Sequence, residues 1–587
     1  MNGYRGKILR VNLSSGAVAT EELNAEWTRR YFGGKGLGYR YLFEELPVGT
    51  DPLGEKNRLI LMTGPFTGTV VPCSGKLAII TRSPATGTIL DCSVGGCAAA
   101  ELKFAGYDGV IIEGKSPRPV FLYINNGQVL LESAASLWGR GTRDTELALR
   151  KNYGDEVKVL SIGPAGENQV PFACITSEFY RQAGRGGVGA VMGSKNLKAI
   201  VIRGSGDVQV AEMQSLLRMS LEAMRSDVHT DANLWACTDG TPMIMELSQQ
   251  TGILPTNNFQ QGTFEQWERL SASSVKRFVT ARKGCFSCAL GCGNYVRVNG
   301  VSVEGPEYET LAMAGASCGV GDLEAVARFN QLCDDLGLDT ISTGSVIAYA
   351  MEMTQKGIYN FGISFGDITA YLQIPGLIAT RVGIGKQLAL GVRALSENYG
   401  GRDFAMHVKG LELPGYDPRG AWGMGLAYAT APRGGCHMSA WPVAEETFGE
   451  GDAFTTEGKA QMVKELQDYN AIKFSLILCD FWAASLEQMA RLVTVVLGRP
   501  VSSEELQKAG ERIFTLARAF NLREGFNAQD DTLPLRIFRE PIPSGAASGK
   551  VLPEDRFRGM LQEYYTLRGW DETGRPPFDR LEDAGIF

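Results

Sequence analysis

Three cysteines, Cys285, Cys288 and Cys292, lie close together in the stretch KGCFSCALGCGNY. With this Cys-x2-Cys-x3-Cys spacing a short loop can direct three thiolates at one centre, and both zinc and iron–sulfur clusters take such soft ligands. Structural zinc usually draws its ligands as two pairs, and the chain contains no second Cys-x2-Cys pair. Three clustered cysteines and one distant cysteine are typical of a [4Fe–4S] cluster. The spacing favours an iron–sulfur cluster, with zinc and no metal as the alternatives.

The spacing leaves the fourth ligand open. Cys479 in KFSLILCDFW is one candidate, and Cys318 and Cys436 are two others. The chain has 12 cysteines and no apolar signal segment at its start, which does not suggest a disulfide scaffold. Eight cysteines are mostly isolated in apolar or glycine-rich contexts, where a free thiol packs as a small hydrophobe. These are Cys73, Cys92, Cys97, Cys174, Cys237, Cys318, Cys333 and Cys436.

A glycine-rich segment, AGRGGVGAVMGSKNLKAI, formally contains GxGxxG at Gly184, Gly186 and Gly189. A dinucleotide-binding fold needs a strand that ends at this loop and a full crossover helix after it. The residues before the loop are polar, and the segment that follows is short for such a helix. The glycine N–H groups and Arg185 could instead hold an anionic group such as phosphate. Tight turns in a β-rich domain are the alternative.

The stretch DLEAVARFNQLCDDLGLD has helical periodicity and predicts a helix that ends at Gly337. Asp334 and Asp335 would then lie in the last turn, where the helix dipole disfavours negative charge. A carboxylate there could accept two N–H bonds from a flat heterocycle. A solvated surface pair is the alternative.

Two further residues could transfer protons. Glu309 lies in the first turn of a helix predicted from GPEYETLAMAG, where a carboxylate also serves as a cap. His437 follows two glycines in TAPRGGCHMSA, and an imidazole in such a loop can exchange protons near neutral pH. A surface position for this histidine is the alternative.

The elements that position these residues change in type along the chain. Short β-branched runs up to about residue 206 predict strands, with a hairpin turn at Asn126-Gly127, and helical periodicity dominates afterwards. We place one domain boundary near 206 and a softer one near 410. The 587 residues carry a net charge of -7 and show no nucleic-acid-binding signature. No stretch approaches the ~18 apolar residues of a membrane span, so we expect a cytoplasmic protein.

Long stretches of the chain resemble the tungsten-dependent aldehyde:ferredoxin oxidoreductase family. They are YRGKILRVNL, TGPFTGT, AAELKFAGYDGVIIEG, GRGGVGAVMGSKNLKAI, the three-cysteine run, EGPEYET, LGLDTISTG, RGGCH and YYTLRGW. The resemblance implies an α+β fold, with a pseudosymmetric β-rich pterin-binding domain over 1–206 and two mainly α-helical domains over 207–409 and 410–587. It also implies a tungsten ion held by the dithiolenes of two pterins (tungstopterin), a nearby [4Fe–4S] cluster, and Mg2+ between the pterin phosphates.

The resemblance also assigns roles to residues. It places the [4Fe–4S] cluster on Cys285, Cys288, Cys292 and Cys479. It implies proton handling by Glu309 and His437, and Mg2+ binding by the backbone carbonyls of Ser93 and Gln182. The residues expected at the pterins are Lys76, Ser93, Gly95, Arg181, Gln182, Gly184, Arg185, Asp334, Leu338, Asp339, Arg433, Gly434, Leu478 and Asp480.

The implied reaction is oxidation of an aldehyde to a carboxylic acid, with electrons passing through the cluster to ferredoxin or a ferredoxin-like Fe–S subunit. A homodimer or a hetero-oligomer would be compatible with it. One alternative is a low-potential reductase of an acid, a thioester or an aromatic ring in the same family. The other is a metal-binding scaffold subunit without catalytic activity.

The chain departs from the family pattern beside the fourth cysteine. Family members usually carry Asp-x-x-Gly-Leu-Cys, whereas this chain reads FSLILC, with Phe474 and Ile477 in place of the Asp and the Gly. The second pterin would lose its carboxylate unless Asp480 or Asp468 replaces it. Three further changes occur in this chain: lysine replaces the usual arginine at 76, serine replaces asparagine at 93, and serine replaces a basic residue at 439.

Overall fold

A computed structural model describes residues 1–298 and 300–586 of the chain. Two six-stranded sheets dominate its first 203 residues. The strands of the first sheet are β1 (Lys7–Asn12), β2 (Ala17–Glu22), β3 (Leu59–Met62), β4 (Leu77–Arg82), β5 (Ile89–Val94) and β6 (Gly109–Glu113). Those of the second are β7 (Val120–Asn125), β8 (Gln128–Ser133), β9 (Lys158–Ser161), β10 (Ile175–Ser177), β11 (Arg181–Ala183) and β12 (Leu197–Arg203).

The two sheets repeat one topology. Their strand orders are β2-β1-β6-β3-β4-β5 and, read from the corresponding end, β8-β7-β12-β9-β10-β11. Each begins with an antiparallel hairpin and continues with one parallel pair, β1 with β6 and β7 with β12. All the other pairs are antiparallel. This repeat confirms the expected pseudosymmetry. The predicted hairpin at Asn126-Gly127 is also confirmed, because both residues have the positive φ that a type I′ turn requires.

Alternating apolar residues from both sheets form one shared core. Leu61 and Ile112 from the first sheet pack in the same cluster as Leu122 and Ile200 from the second. Burial of such a side chain stabilises the fold by ~1.5–3 kcal/mol. The outer strands β5 and β11, which hold equivalent positions in the two sheets, lie against each other.

Helices surround these sheets and form most of the remaining chain. The first group comprises α1 (Ala25–Tyr31), α2 (Gly34–Glu45), α3 (Ala98–Phe104), α4 (Thr142–Tyr153), α5 (Pro164–Glu167) and α6 (Val188–Ser194). The second comprises α7 (Met213–Ala223), α8 (Leu234–Thr238), α9 (Ile244–Thr251), α10 (Ala272–Lys276), α11 (Tyr308–Thr310), α12 (Leu323–Leu336), α13 (Thr340–Gln355), α14 (Ile368–Thr380), α15 (Gly385–Leu388) and α16 (Val392–Tyr399). The third comprises α17 (Trp422–Thr430), α18 (Lys459–Ser475), α19 (Leu486–Leu497), α20 (Ser503–Arg523), α21 (Leu535–Arg539), α22 (Glu554–Arg568) and α23 (Phe578–Asp583).

The α+β fold class expected from the sequence is confirmed. The predicted helix over 323–336 is present as α12 and ends at Gly337, whose φ of 72° gives the left-handed cap. One apolar core contains Leu311, Val346, Leu426 and Tyr564, which lie on both sides of position 410. The domain boundaries near 206 and 410 stay predictions. No helix in the described part of the chain combines the length and the apolar character that a bilayer crossing requires.

Two small sheets complete the fold. The strands β13 (Val279–Lys283), β14 (Gly293–Val298) and β15 (Val301–Glu304) form an antiparallel sheet, and the clustered cysteines occupy the connection between β13 and β14. A two-stranded sheet pairs β16 (His407–Val408) with β17 (Leu411–Glu412). The first of these sheets holds the cysteine loop against the N-terminal sheets.

Candidate functional site

Four cysteines line one cavity between the cysteine loop and the segment that follows α18. Cys285, Cys288 and Cys292 come from the loop, and Cys479 comes from the segment. The other two candidates lie elsewhere. The Cys318 thiol donates to the Gly344 carbonyl (3.4 Å), and the Cys436 sulfur accepts from Arg433 Nε (2.9 Å). Among the described residues no three His, Cys, Asp or Glu side chains converge closely enough to hold a single metal ion.

The cysteine loop reaches this position because two glycines admit it. A Cβ atom at Gly75 would lie 2.7 Å from the Phe286 backbone, and one at Gly95 would lie 2.7 Å from the Cys285 sulfur. The Phe286 N–H also donates to the Gly96 carbonyl (3.0 Å). Any larger residue at Gly75 would collide with the Phe286 backbone. Because Gly75 precedes β4 and Gly95 follows β5, the position of the loop depends on both strands and on the turns beside them.

Cys73 is a fifth thiol at the cavity, and no sequence pattern predicts it there. Its backbone joins the two parts of the ligand set: the Cys73 N–H donates to the Ser287 carbonyl (2.8 Å), and the Cys73 carbonyl accepts from the Cys479 N–H (2.9 Å). It adopts a left-handed conformation, φ 58°. The expectation that Cys73 is an isolated core residue is therefore incomplete, because the residue is buried but contacts both cysteine segments.

Positive charge surrounds these thiols. Lys76 and Arg181, both expected at the pterins, line the wall of the cysteine cavity. The Nε and one terminal nitrogen of Arg181 are buried and have no hydrogen-bond partner in the part of the chain that the structure describes. A hydrogen bond from Cys73 lowers the pKa of the Cys288 thiol to about 5, whereas burial raises the pKa of Cys479 to about 12. Cations beside the cavity favour thiolates, which are the metal-binding form of cysteine.

A second group of expected residues meets at the C-terminal end of α12, and we call it the Asp334 side. Gln182 Nε2 and Asn330 Nδ2 donate to the two carboxylate oxygens of Asp334 at 3.0 and 3.1 Å. Arg185 Nε lies 3.3 Å from Asp339, which caps the N-terminus of α13. Burial raises the pKa of Asp334 to about 8. Asp334 is thus a buried acceptor rather than half of a solvated pair.

The neighbouring Asp335 has a different role. Its carboxylate accepts from the Arg143 backbone N–H (3.1 Å) in the first turn of α4, and a Cβ atom at Gly141 would collide with it. Of the two adjacent acids in this turn, Asp334 is therefore a buried acceptor and Asp335 caps helix α4. Only Asp334 faces the region that the sequence assigned to a heterocycle.

Glu309 and His437 approach each other with 17% and 19% of their side chains exposed. Their facing atoms, Glu309 Oε1 and His437 Nδ1, are buried 3.7 Å apart, and neither has a hydrogen-bond partner among the described residues. The other Glu309 oxygen accepts from the Gly415 N–H (2.8 Å). Burial raises the pKa of Glu309 to about 7 and, together with Arg185 and Arg433, lowers the pKa of His437 to about 3. The imidazole is neutral across the physiological range, and Glu309 can gain or lose a proton near neutral pH.

The glycine-rich loop does not form a dinucleotide-binding unit. Strands β11 and β12 are separated in the sheet by β10 and β9, and α6 has only seven residues. A Cβ atom at Gly189 would lie 2.3 Å from the Cys174 carbonyl, so that glycine serves close packing. A Cβ at Gly184 would lie no closer than 3.7 Å to other atoms, which leaves its backbone approachable. Arg185 donates to the Gly435 carbonyl (2.7 Å), which links this loop to the His437 loop.

Ser93 and Gln182 occupy corresponding places in the two sheets. Ser93 lies on β5 and Gln182 on β11, and each of these strands pairs with a single neighbour within the described residues. The pseudosymmetry therefore brings both residues to the line where the two outer strands meet. This placement follows from the repeated topology, which the spacing of the two residues in the sequence does not reveal.

Three other expected residues are packed tightly. Arg433 is buried and donates to the Asp91 carbonyl and to Cys436. Gly434 has φ 102° and a Cβ there would lie 2.4 Å from the Val408 carbonyl, so only glycine fits. Leu338 pairs with Ala173 in an isolated bridge. These contacts support the loops beside the Glu309–His437 pair.

Lys76, the segment FSLILC and Asp480 form a further group, which we call the Lys76 side. Lys76 pairs with Asp480, its ammonium lies 5.8 Å from the Phe474 ring centroid, and Lys473 Nζ donates to the Asp480 carbonyl (3.0 Å). Although burial opposes it, Lys76 holds the pKa of Asp480 at about 2. Leu478 is fully buried next to this pair.

Two sequence expectations about this segment change. Asp468 cannot replace the missing carboxylate, because it is buried in an ion pair with Arg568 and accepts from Lys464 Nζ (3.1 Å). Ile477 stands where the family has glycine and still has the glycine-like φ of 68°, which is rare for a β-branched residue. The backbone of the family motif is therefore kept while its carboxylate is not.

Family comparisons agree along the whole chain. The family model "Aldehyde ferredoxin oxidoreductase, N-terminal domain" matches residues 8–204, and "Aldehyde ferredoxin oxidoreductase, domains 2 & 3" matches residues 219–586. The chain is 40% identical to the tungsten-containing aldehyde ferredoxin oxidoreductase of Pyrococcus furiosus, with 100% of this chain and 99% of the relative covered. The enzyme of the same description from Thermococcus kodakarensis gives the same identity and coverage.

More distant relatives have other activities. An aliphatic sulfonate oxidoreductase, WOR-like subunit, of Pyrococcus furiosus is 30% identical over 100% of this chain and 97% of its own. Among solved structures, the active site complex BamBC of benzoyl coenzyme A reductase, in complex with 1,5-dienoyl-CoA, superposes with a TM-score of 0.87. Its identity is 25%, with 100% of this chain and 97% of that chain covered.

Proposed function

Because the chain belongs to the aldehyde ferredoxin oxidoreductase family, we propose that it oxidises an aldehyde to a carboxylic acid at a tungstopterin centre. The observation that carries the proposal is the Glu309–His437 pair, whose facing atoms are buried 3.7 Å apart and have no hydrogen-bond partner within the described chain. Buried polar atoms in folded proteins are nearly always hydrogen-bonded, and exceptions concentrate where a ligand or catalytic group belongs. The two facing atoms are thus able to bond a substrate oxygen and to exchange a proton.

The cysteine cavity fits a [4Fe–4S] cluster. Its wall holds Cys285, Cys288, Cys292 and Cys479, and the thiols surround a space instead of converging on one point. A cluster with a ligand at each iron corner matches that arrangement, whereas zinc needs four ligand atoms within ~2.3 Å of one centre. Arg181 offers two unbonded nitrogens to the same region. We assign the four cysteines as cluster ligands and Cys73 as a residue that orients them.

The pterin assignment rests on the Asp334 side and on the meeting strands β5 and β11. On the Asp334 side, Asp334 accepts from Gln182 and Arg185 lies beside Asp339. These acceptors and donors could bond a bicyclic heterocycle in place of one another. The backbone carbonyls of Ser93 and Gln182, on the meeting strands β5 and β11, are the oxygen ligands that Mg2+ prefers. When bound, the tungsten centre would supply two-electron chemistry at the substrate carbonyl.

The protein's own residues handle protons and exclude water. Oxidation of RCHO with one water gives RCOOH, two protons and two electrons. Glu309, with its pKa near 7, is the base that takes a proton as water or the aldehyde C–H reacts. His437 is neutral and can hydrogen-bond the substrate oxygen with one ring nitrogen. Burial of both groups keeps bulk water from the reaction.

Aromatic rings border the His437 side of this pair. The rings of Tyr416 and His437 are 5.9 Å apart between centroids, Tyr416 lies 5.7 Å from Trp441, and Trp441 lies 5.8 Å from Phe448. The buried Trp441 indole N–H has no hydrogen-bond partner in residues 1–298 and 300–586. Such a wall suits an apolar or aromatic substrate, and we expect benzaldehyde to be oxidised at a lower KM than acetaldehyde.

Glu309→Gln tests the proposal. The amide keeps the size and the Gly415 hydrogen bond but cannot take a proton, so we expect turnover with benzyl viologen to fall by about 10²-fold or more. Tungsten and iron content should not change. Activity of the wild-type protein should rise with pH through about 7, as Glu309 deprotonates, and the variant should lack this rise. Loss of tungsten in the variant would contradict the proton-transfer role.

Reduction of a carboxyl or thioester group in the same site is the second candidate. It is favoured by the raised pKa of Glu309, which leaves a carboxylic acid able to donate a proton near neutral pH. Titanium(III) citrate as electron donor with benzoate, benzoyl-CoA and cyclohexane carboxylate would detect it. Consumption of one of these without aldehyde-dependent dye reduction would replace the first candidate with the second.

A further inference from the structure

The segment that carries the three clustered cysteines is unusually basic. Residues 276–297, KRFVTARKGCFSCALGCGNYVR, contain no Asp or Glu, although the whole chain has a net charge of -7. We call this segment, which comprises the end of α10, β13, the cysteine loop and β14, the basic hairpin. Its cations are Lys276, Arg277, Arg282, Lys283 and Arg297.

These charges face outward. Lys276, Arg277, Lys283 and Arg297 are exposed, and Arg282 is half-buried. Within the described residues, Lys276 alone among the five lies within 4 Å of a carboxylate, that of Asp239 at 3.6 Å. Two acids beneath the hairpin do not neutralise it at the surface, because Glu304 is buried beside Arg181 (3.7 Å) and Glu307 bonds Thr241. Glu324 borders the hairpin at its apolar edge.

The cysteine loop reaches the surface inside this charged region. Gly284, next to Cys285, is exposed, and Cys285, Cys288 and Cys292 line the cavity behind it. Phe278 exposes 40% of its surface beside Arg277, at the rim of a small apolar cavity lined by Val275, Val296 and Leu323. Arginine and an exposed aromatic side chain are the residue types enriched in protein interfaces.

We propose that the basic hairpin is the docking surface for an acidic, soluble iron–sulfur electron carrier. The inference rests on the proposed function, because electrons from a cluster on these cysteines must leave through the part of the loop that reaches solvent. A positive patch on an otherwise acidic protein attracts an acidic partner to that face and repels it from the others. Electron-transfer complexes are small and transient, below about 1,200 Å2 of buried area, so charge steering contributes much of their association rate.

Charge reversal at Arg277 and Arg297 tests the surface without touching the cysteines. Both residues are exposed and lie outside the cysteine loop. The probe is an acidic 2[4Fe–4S] ferredoxin, and its binding is measured by biolayer interferometry on the holoenzyme, independently of turnover. At about 10 mM ionic strength, where the Debye length is ~30 Å, the Arg277→Glu/Arg297→Glu variant should bind at least about tenfold more weakly than wild type. At about 1 M salt the two should be equal.

Arg539→Glu/Arg556→Glu is the matched control. Both arginines are exposed, on α21 and α22, and the change in net charge is the same. This variant should bind ferredoxin as the wild type does within about twofold, which separates local charge from total charge. Equal weakening by the control, or unchanged binding in the hairpin variant, would overturn the docking proposal. Equally tight binding of a single-stranded DNA oligonucleotide would overturn it as well.

Turnover with benzyl viologen separates this proposal from the function itself. The dye is a cation that the basic hairpin does not attract, so the hairpin variant should reduce it at least as fast as wild type. Absence of aldehyde-dependent dye reduction in the wild-type protein would refute the proposed function. Weaker ferredoxin binding in the hairpin variant would still support the surface in that case.

Discussion

The Asp334 side and the Lys76 side, whose Lys76 lines the cysteine cavity, hold their carboxylates by opposite means. Asp334 accepts neutral amide hydrogen bonds from Gln182 and Asn330, and burial raises its pKa to about 8. Asp480 pairs with Lys76, and its pKa is about 2. One side can therefore take up a proton near neutral pH, whereas the other stays ionised.

This difference bears on the missing carboxylate of FSLILC. With Phe474 in the place of the aspartate, the Lys76 side presents an ammonium, an aromatic ring and an already paired carboxylate. A ligand on the Asp334 side meets carboxylates, an amide and the Arg185 guanidinium, whereas a ligand on the Lys76 side meets the ammonium groups of Lys76 and Lys473. The two pterins that the family implies would thus be recognised by different chemistry in this chain, the second through its anionic groups.

Lys76→Met should have the largest effect on this comparison. It leaves Asp480, whose side chain is 24% exposed, without its nearest cation. We expect a loss of about 1–3 kcal/mol in the free energy of unfolding, between the values for an exposed and a fully buried pair. The double variant Lys76→Met/Asp480→Leu should recover most of this loss. Urea unfolding measures both, and equal stability of the single variant and the wild type would contradict the pairing.

The two sides should respond to pH with opposite signs. Asp334 has a raised pKa in the folded state, so its contribution to stability is complete below about pH 4 and is lost as pH rises through about 8. Asp480 has a lowered pKa, so its contribution is present above about pH 4 and is lost as pH falls through about 2. Asp334→Asn should flatten the first dependence and Asp480→Asn the second.

Thermal unfolding across a pH series measures this contrast. Asp334→Asn should leave the change in Tm between about pH 2 and 4 as it is in the wild type. Asp480→Asn should leave the change in Tm between about pH 4 and 8 as it is in the wild type. The same slope in both variants between pH 4 and 8 would show that the environments of Asp334 and Asp480 do not differ as described.

Ile477→Gly should have the smallest effect. Glycine removes strain of about 1–3 kcal/mol at a positive φ, which offsets part of the about 2–5 kcal/mol lost with the buried side chain. We expect a net loss of about 1–2 kcal/mol in the free energy of unfolding. The control Leu478→Gly, fully buried without a positive φ, should cost several times more. Equal losses at the two positions would exclude backbone strain at Ile477.

Sequence patterns predicted the elements with strong local signals. The helix over 323–336, the Asn126-Gly127 hairpin and the proximity of three cysteines all depend on neighbours within a few turns of chain. The pseudosymmetric sheets came from the family resemblance, since the short strands give no internal repeat that the sequence displays.

Contacts between distant segments could not be predicted in the same way. Cys73 joins Ser287 to Cys479 only through its backbone, at a φ that no pattern requires. Asp468 was a wrong candidate for the pterin site because it is paired with Arg568. That arginine lies 100 residues further along the chain, so the sequence around Asp468 does not reveal the pair. The spacing of the cysteines likewise could not choose Cys479 over Cys318 and Cys436, and that choice came from the family resemblance.

The most direct test of the central claim is electron paramagnetic resonance of anoxically purified protein, with tungsten and iron determined on the same sample. Benzaldehyde should produce the signal of a reduced [4Fe–4S] cluster in the wild type. Glu309→Gln, with the same tungsten and iron content, should give none. A metal-replete wild-type protein whose cluster is reduced by dithionite but by no aldehyde would contradict the proposed oxidation.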